Sequence, residues 1–367
     1  MPPTLEQLRR YAIARSLFKP TTLPRAIRKL GFVQADPIRA PARAQDLTLR
    51  HRVIGYRAGD LERRYPRLGL EEDYFVNYGY LLREHHRLMH PRRAPKRWSP
   101  ARAARAQELL AFIRERGTAH PRIVDQRFAH GKILNWFGGA TNATTRLLDE
   151  MHYRGLLRVA RRDSGTRVYA PREADPQPAA DEEIPVNARI DTLVDLIVGK
   201  YAPLPARSLT QLLRFLSGGI PQWSRHRAAS LERAKQRLAC VRIEGIDWYW
   251  PAAEAPAAGR WRVEPAVRLL TPFDPVVWDR HRFELFWGWQ YRFEAYTPAA
   301  KRKLGYYALP LLWGERVIGW GNLNYVAGSL RSSFGYLAGR PPREAAYRNA
   351  LEEELERMRM FLSRAAD

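Results

Sequence analysis

The sequence predicts an α+β protein in which helical modules, each closed by a β-hairpin, lead into a β-rich domain and a final helix. Three features carry that expectation. Helix and hairpin signals recur in the same order twice, about eighty residues apart. After Trp261 the hydrophobic period changes from helical to alternating, and Ala345 to Leu362 restores the helical period. With 367 residues the chain is also too long for one compact module.

From the start of the chain, Thr4 to Leu17 and Leu23 to Leu30 are spaced as helices, Gly31 interrupts, and Phe32-Val33-Gln34-Ala35-Asp36 is extended. Residues 1–97 are therefore expected to form a degenerate first module. Residues 98–172 give the clearest signal. Ala104, Leu109, Leu110, Phe112 and Ile113 line a helix over Pro100 to Arg116, stopped by Gly117. A short helix fits Arg122 to Phe128. Asn142 is placed to cap a third helix, whose Ala143, Leu147, Leu148 and Met151 make an apolar stripe ending before Gly155. Leu156 to Arg161 and Thr166 to Ala170 alternate as strands around Arg162-Asp163-Ser164-Gly165, the residue types a tight hairpin needs. Three helices and a two-stranded wing make a winged helix.

Residues 173–186, rich in Pro, Ala and acids with no apolar period, are expected to be a linker. Residues 187–256 repeat the module: Ile190 to Tyr201, Ser208 to Leu216 and Ser224 to Leu238 are helical, and Val241 to Ile243 and Ile246 to Trp250 flank Glu244-Gly245. In residues 257–367, alternation such as Arg316-Val317-Ile318-Gly319-Trp320 predicts a β-rich, barrel-like domain closed by the last helix.

Apolar residues at 45% and aromatics at 11% suffice for cores, which excludes a disordered chain. Lys and Arg number 62 against 38 Asp and Glu, a net charge of +24, so the expected partner is a polyanion. All but eight of the 62 are arginines, whose planar fork suits phosphates and guanine edges. A GC-rich genome also raises Arg over Lys, but it does not account for the excess of base over acid. The single cysteine, Cys240, excludes a disulfide framework, a thiolate zinc finger and an iron–sulfur cluster, and is expected as a buried small hydrophobe. No stretch approaches the roughly 20 apolar residues that span a bilayer, and the first residues lack a signal-peptide core. A cytoplasmic protein associated with DNA follows, with no membrane partner. No phosphate-binding glycine loop points to a nucleoside triphosphatase.

The stretch FVQADPIRAPARAQDL, residues 32–47, holds the pair of greatest chemical interest. Pro37 biases Asp36 toward an extended backbone, and residues two apart in extended chain point the same way, so Gln34 and Asp36 present an amide and a carboxylate on one face. Arg39 and Arg43 follow closely. Two readings stand here: a carboxylate beside passing phosphates, or an aspartate paired locally with an arginine.

Together with Asp274, Pro275, Trp278, Asp279, Arg280, Tyr291, Glu294, Tyr296, Pro298, Lys301, Arg302, Gly305, Tyr306, Tyr307 and Pro310 in residues 271–319, this stretch resembles the winged-helix DNA glycosylases of the AlkZ/YcaQ type, in the branch whose motif is Gln-x-Asp. The likeness runs along most of the chain. It implies three winged helices in a C-shaped arrangement with a β-domain. It also implies monofunctional hydrolysis of the N-glycosidic bond of alkylated purines in double-stranded DNA, including crosslinked ones in the YcaQ branch. An N7- or N3-alkylated purine is already cationic and leaves readily, so the chemistry needs an oxocarbenium stabiliser and a positioned water more than a strong acid. Asp36 suits the first task and Gln34, which donates and accepts without titrating, the second. No lyase step is expected, because the nearest lysine in sequence, Lys29, suits a helix C-terminus. No cofactor and no metal are expected, and the protein is expected to act as a monomer. The chain departs from the family where Gln45-Asp46 replace a usual His-His, in Asp73-Tyr74-Phe75-Val76-Asn77-Tyr78, and in Asn322-Leu323-Asn324. A non-catalytic winged-helix regulator is the competing reading.

Phosphate contacts are expected from Arg39, Arg43 and Arg52 near the pair, from Arg146, and from Arg225 and Arg227 on a helix with Arg233 and Arg237 outward and Ala228, Leu231, Ala234 and Leu238 inward. Arg280, Lys301 and Arg302 complete the set. Asp149 and Glu150 on the helix at 142–154 oppose such contact. His85, His86 and His90, the last two four apart, can ligate a metal on a helix, but no acidic third ligand beyond Glu84 is evident, so helix-end or phosphate contact is expected. Tyr74, Phe75, Tyr78 and Tyr80, at spacings that fill a core, are expected to pack rather than stack on a flipped base. Trp136-Phe137-Gly138-Gly139 is likewise expected to pack against the wing.

Overall fold

The computed structural model describes residues 2–94, 96–129, 131–134, 140–172 and 184–363. Trp136 to Gly139 and most of the expected linker, 173–183, lie outside the described residues. The fold is α+β, and the chain divides into two compact units: Met1–Leu61, Val194–Leu212 and Leu231–Asp367 in the first, Glu62–Leu193 and Leu213–Ser230 in the second.

In the first unit, Leu5–Ser16 is a helix opened by a capping box between Thr4 and Gln7. The helix Leu23–Leu30 ends at Gly31, whose φ of +69° favours glycine. A Cβ there would also lie 2.4 Å from Leu196 Cδ1, so this position is closed to any side chain. The chain then enters the short strand Phe32–Gln34 and the helix Ala44–Leu49. Ile13 of the first helix shares a core with Leu270, Val277, Phe283, Tyr291 and Leu312, so the N-terminal helix and the C-terminal sheet bury one apolar surface together. That sheet runs Val267–Leu269, Leu309–Trp313, Arg316–Val326, Ser329–Tyr336, each antiparallel to the next. Its order is linear, with the first and last strands as edges, where closure into a barrel-like form was expected. The helix Ala345–Leu362 packs on the strand Val267–Leu269, where Glu354 accepts the Leu269 amide at 2.8 Å and a donor from Arg50.

A second sheet of this unit orders Leu204–Pro205, Ile246–Pro251 and Leu238–Ile243. Cys240 lies on its last strand and is exposed, not buried, because strand alternation turns it outward. The helix Arg227–Arg237, preceded by a 3-10 turn Pro221–His226, buries Ser230 and Ala234. Ala228, expected inward, is exposed. The helix starts at Arg227 rather than Ser224, so Ala228 sits in its first, uncovered turn, and burial begins at Ser230.

In the second unit the helices Pro100–Arg116, Pro121–Phe128 and Ala143–Tyr153 precede a hairpin of Leu157–Asp163 and Thr166–Pro171. Its turn places Ser164 and Gly165 at φ of 50° and 89°, as Glu244 and Gly245 do at 51° and 79° in the first unit. Two consecutive positive-φ residues match the right-handed twist of paired strands, which explains why both turns carry a polar residue before glycine. Asn142 is the N-cap residue of its helix, but its side chain makes no cap bond. Instead its amide donates to Asp125 at 2.8 Å. A further hairpin, Leu70–Tyr74 with Tyr78–Leu82, buries Phe75 and Tyr80 in the core, as their spacing suggested.

Candidate active site

The strand Phe32–Gln34 is held at both ends by side chains from distant sequence. The Lys200 ammonium donates to the Phe32 carbonyl. Trp278 Nε1 donates to Gln34 Oε1 at 2.8 Å. An indole N–H can only donate, so the accepting atom is the Gln34 oxygen and the amide nitrogen remains as the donor this side chain offers. Trp278 is fixed in turn by Tyr201, 4.8 Å between ring centres.

Two residues on, Asp36 is half-buried. Its Oδ1 accepts the Ile38 amide at 2.9 Å, a turn that Pro37 favours, and its own amide donates to Gln45 Oε1 at 3.3 Å. Burial raises its pKa above the usual carboxylate value, with the Ile38 amide opposing. Among the described residues Asp36 forms no ion pair, so the local pairing with Arg39 or Arg43 does not occur. Its negative charge reaches Tyr296 and Tyr307: partial desolvation and then Asp36 raise the phenol of the largely exposed Tyr296, while full burial raises that of Tyr307, with the Thr271 hydroxyl opposing and Asp36 adding. The carboxylate is thus half-buried with one donor on it, and its charge reaches two aromatic residues of the 271–319 segment. Such a group keeps most of its field for a cation placed nearby.

The same region is braced by buried charge. Arg52, with no exposed surface, forks onto Asp274 at 2.8 and 3.0 Å and also donates to Ser16 and Thr48 carbonyls. Asp274 caps the helix Pro275–Trp278 through the Val276 amide, which orients Trp278. Lys200 lies close enough that Arg52 lowers its pKa and Asp274 raises it. Burial is the largest influence, and together these bring it to about 7.

The expected phosphate contacts divide. Arg39, Arg225, Arg227 and Lys301 are exposed. Arg302 is half-exposed and donates to the Thr297 carbonyl at 2.8 Å. Arg146 is exposed but lies 3.5 Å from Glu150, a carboxylate also held by Arg102 and Trp98. Asp149, the other acid expected to repel phosphate, is engaged by the Tyr169 hydroxyl and Arg167. Arg52 is withdrawn from any phosphate by its bond to Asp274, and Arg43 by burial at the start of the helix Ala44–Leu49. Arg280 lies against Tyr291, 4.6 Å from the ring centre, with its donors on the Val277 and Pro272 carbonyls. A sequence shows that an arginine is present but not which carboxylate or carbonyl claims it.

Sequence reasoning missed three members of the site. In the sequence Gln45 stands out only as a departure from the family pattern, and Trp278 and Tyr307 only as members of it. Nothing local announces that residue 278 meets residue 34. It also named Lys29 as the nearest amine, whereas Lys29 lies 4.2 Å over the Phe18 ring and Lys200 reaches the strand.

Asp73, His86 and His90 in the second unit offer three ligand atoms within 4.8 Å of one another. Asp73 Oδ2 meets the two imidazoles at 2.9 and 3.1 Å, and its Oδ1 meets Arg92 at 3.0 Å. Arg172 lies 3.4 Å from His86. Two guanidinium groups against this cluster oppose a further cation, and the arrangement is that of a buried carboxylate neutralised by the protein's own donors. His86 is fully buried, so the phosphate contact expected of it gives way to this pairing.

A family model described as DNA glycosylase AlkZ-like matches residues 27–361. In a search of solved structures, the Streptomyces sahachiroi DNA glycosylase AlkZ superposes with a TM-score of 0.60 at 17% identity, over 99% of this chain and 98% of that one.

Proposed function

The chain belongs to the AlkZ-like DNA glycosylase family, and from that premise we propose that it is a monofunctional glycosylase for N7- and N3-alkylated purines, with Asp36 as catalytic carboxylate and Gln34 as positioning amide. The observation that carries this reading is the half-buried Asp36, raised by burial and without an ion-pair partner among the described residues, beside a Gln34 whose oxygen is fixed by Trp278. As the cationic purine departs, positive charge develops on the sugar. A carboxylate about 4 Å away at an effective dielectric near 20 is worth about 4 kcal/mol, or roughly three powers of ten in rate. The same carboxylate takes the proton of the attacking water, and the Gln34 amide nitrogen donates to that water or to a base acceptor. The bond broken is C1′–N, the bond formed is C1′–O, and the purine leaves neutral.

No lyase step is proposed, since the Lys200 amine is buried and bound to the Phe32 carbonyl. In this reading the two helix-and-hairpin stretches at 98–172 and 187–256 are winged-helix modules, with 1–97 a degenerate third and 257–367 the β-rich domain. Interstrand crosslinks fall within the proposed range. Arg39, Arg225, Arg227, Lys301 and Arg302 supply backbone contacts.

The test is release of free base from duplex carrying one N7-methylguanine, compared between wild type and Asp36→Asn at equal DNA affinity. The reading expects base release that falls by roughly two to three powers of ten in the variant. Binding without release by wild type, on N3-methyladenine and crosslinked duplexes as well, would mark a non-catalytic DNA-binding protein instead.

A further inference from the structure

We propose that Tyr296 is the stacking face for the alkylated base, and that it selects cationic purines over neutral ones; this rests on the glycosylase reading above. Tyr296 is 74% exposed, the largest exposure of any bulky apolar or aromatic side chain in the described structure. A single exposed ring is ordinary on a protein surface; what sets this one apart is the loop that fixes it.

The loop is built to hold it. Glu294, two residues earlier, accepts the amides of Lys303, Leu304 and Gly305 at 2.9, 2.8 and 3.3 Å and so closes the segment between them. Burial opposes ionisation of Glu294, but those three amides more than offset it and hold its carboxyl below the usual range. Arg302 donates to the Thr297 carbonyl, and Asn322 donates to the Leu304 carbonyl at 2.8 Å. Gly305, at φ +120°, is pressed against Asn322 so closely that a Cβ would lie 2.3 Å from its oxygen. The departure from the family at Asn322 therefore supports this loop.

The ring's own surroundings point to the ligand. Phe293 packs against Tyr296 edge to face at 6.0 Å and is itself packed on Phe273 and Tyr307. In this arginine-rich chain many aromatic rings already carry a protein cation, including the neighbouring Tyr306 with Arg302 at 4.9 Å. Among the described residues no cation lies over Tyr296. An electron-rich face left open, on a ring packed through Phe293 to Phe273 next to the helix cap Asp274, suits a flat cation, and an N7- or N3-alkylated purine is one. Asp36 would then serve the sugar and Tyr296 the base.

The experiment uses the full chain and two readouts. The first is affinity for duplex carrying a 2′-fluoroarabino N7-methylguanine, which resists cleavage, against the same duplex with guanine. The second is single-turnover release of N7-methylguanine. Tyr296→Ala should lose the binding preference and slow release about five- to hundredfold, the range for losing one base–aromatic stack, while Tyr296→Phe stays within about threefold of wild type. Affinity for duplex carrying 1-azaribose, a cationic sugar mimic with no base, should be unchanged by Tyr296→Ala and reduced by Asp36→Asn. Retention of the N7-methylguanine preference by Tyr296→Ala overturns the proposal, as does an equal loss on the baseless duplex. Absence of base release by wild type with the Tyr296-dependent preference intact overturns the catalytic role of Asp36 and leaves the stacking face standing.

Discussion

Asp73 is fully buried and Asp36 half-buried, and burial acts on them with opposite outcomes. Asp73 accepts from the Tyr74 amide, His86, His90 and Arg92. Burial alone would raise its pKa, but those partners more than offset it and hold the carboxyl well below the usual range. Asp36 has one amide on it, and burial prevails. A carboxylate that is fully satisfied has its field consumed by the fold. One that is shielded and under-satisfied holds its field for something that arrives later, which is what an enzyme needs and a core does not.

The comparison predicts opposite phenotypes. Asp73→Ala leaves Arg92 without its buried counter-charge, and loss of a buried partner costs about 3–5 kcal/mol of stability. Asp36→Asn, by contrast, should leave the thermal midpoint nearly unchanged or slightly raised while removing roughly two to three powers of ten in base release. Thermal unfolding of the two variants side by side reads this directly. A larger stability loss from Asp36→Asn than from Asp73→Ala would break the distinction.

Acid sharpens the same contrast. His90 is lowered by burial from 6.5 to about 4, with Asp73 opposing and Arg92 adding to the shift, and His86 is lowered well below its usual value. Both imidazoles are neutral in the fold, and the unfolded chain binds their protons more readily. Unfolding free energy therefore falls as pH drops from about 6.5 toward 4, by on the order of 3 kcal/mol for His90. Asp73 acts in the other window, since its stabilisation is present above the ordinary carboxylate pKa and is lost only at lower pH. His90→Gln should flatten the slope of the thermal midpoint between pH 6.5 and 4. Base release, governed by the raised Asp36, should decline on the acid side at a higher pH than an ordinary aspartate would give, and Asp36→Asn should abolish that limb.

How much of this was legible in the sequence depends on the range of the interaction. The helix Pro100–Arg116, its stop at Gly117 and both polar-Gly hairpin turns were legible because they are set within a few residues, by periodicity and by positive φ. The pair Gln34 and Asp36 was legible as two polar groups on one extended stretch. Their partners were not, since Trp278 lies more than two hundred residues away and meets Gln34 only in the folded chain. Arg52 failed for the same reason, its partner Asp274 being equally remote. Residue type foretold chemistry well, while the assignment of each charge to a partner was a tertiary fact.

Trp278 offers the finest probe of the active-site side of the comparison. Trp278→Phe keeps a ring against Tyr201 but removes the N–H that fixes the Gln34 oxygen. A hydrogen bond of this kind contributes about 1 kcal/mol, so base release should fall about fivefold. If Gln34 acts by orientation, the loss should fall on the single-turnover rate with DNA affinity unchanged, because a rotating amide still occupies the site but presents its donor only part of the time. A second variant, Gln34→Ala, should then make Trp278→Phe silent, since the indole would have nothing left to orient. Additive losses in the double variant would mean that Trp278 acts on the substrate or on Asp36 independently of Gln34, and the amide would lose its assigned part in the reaction.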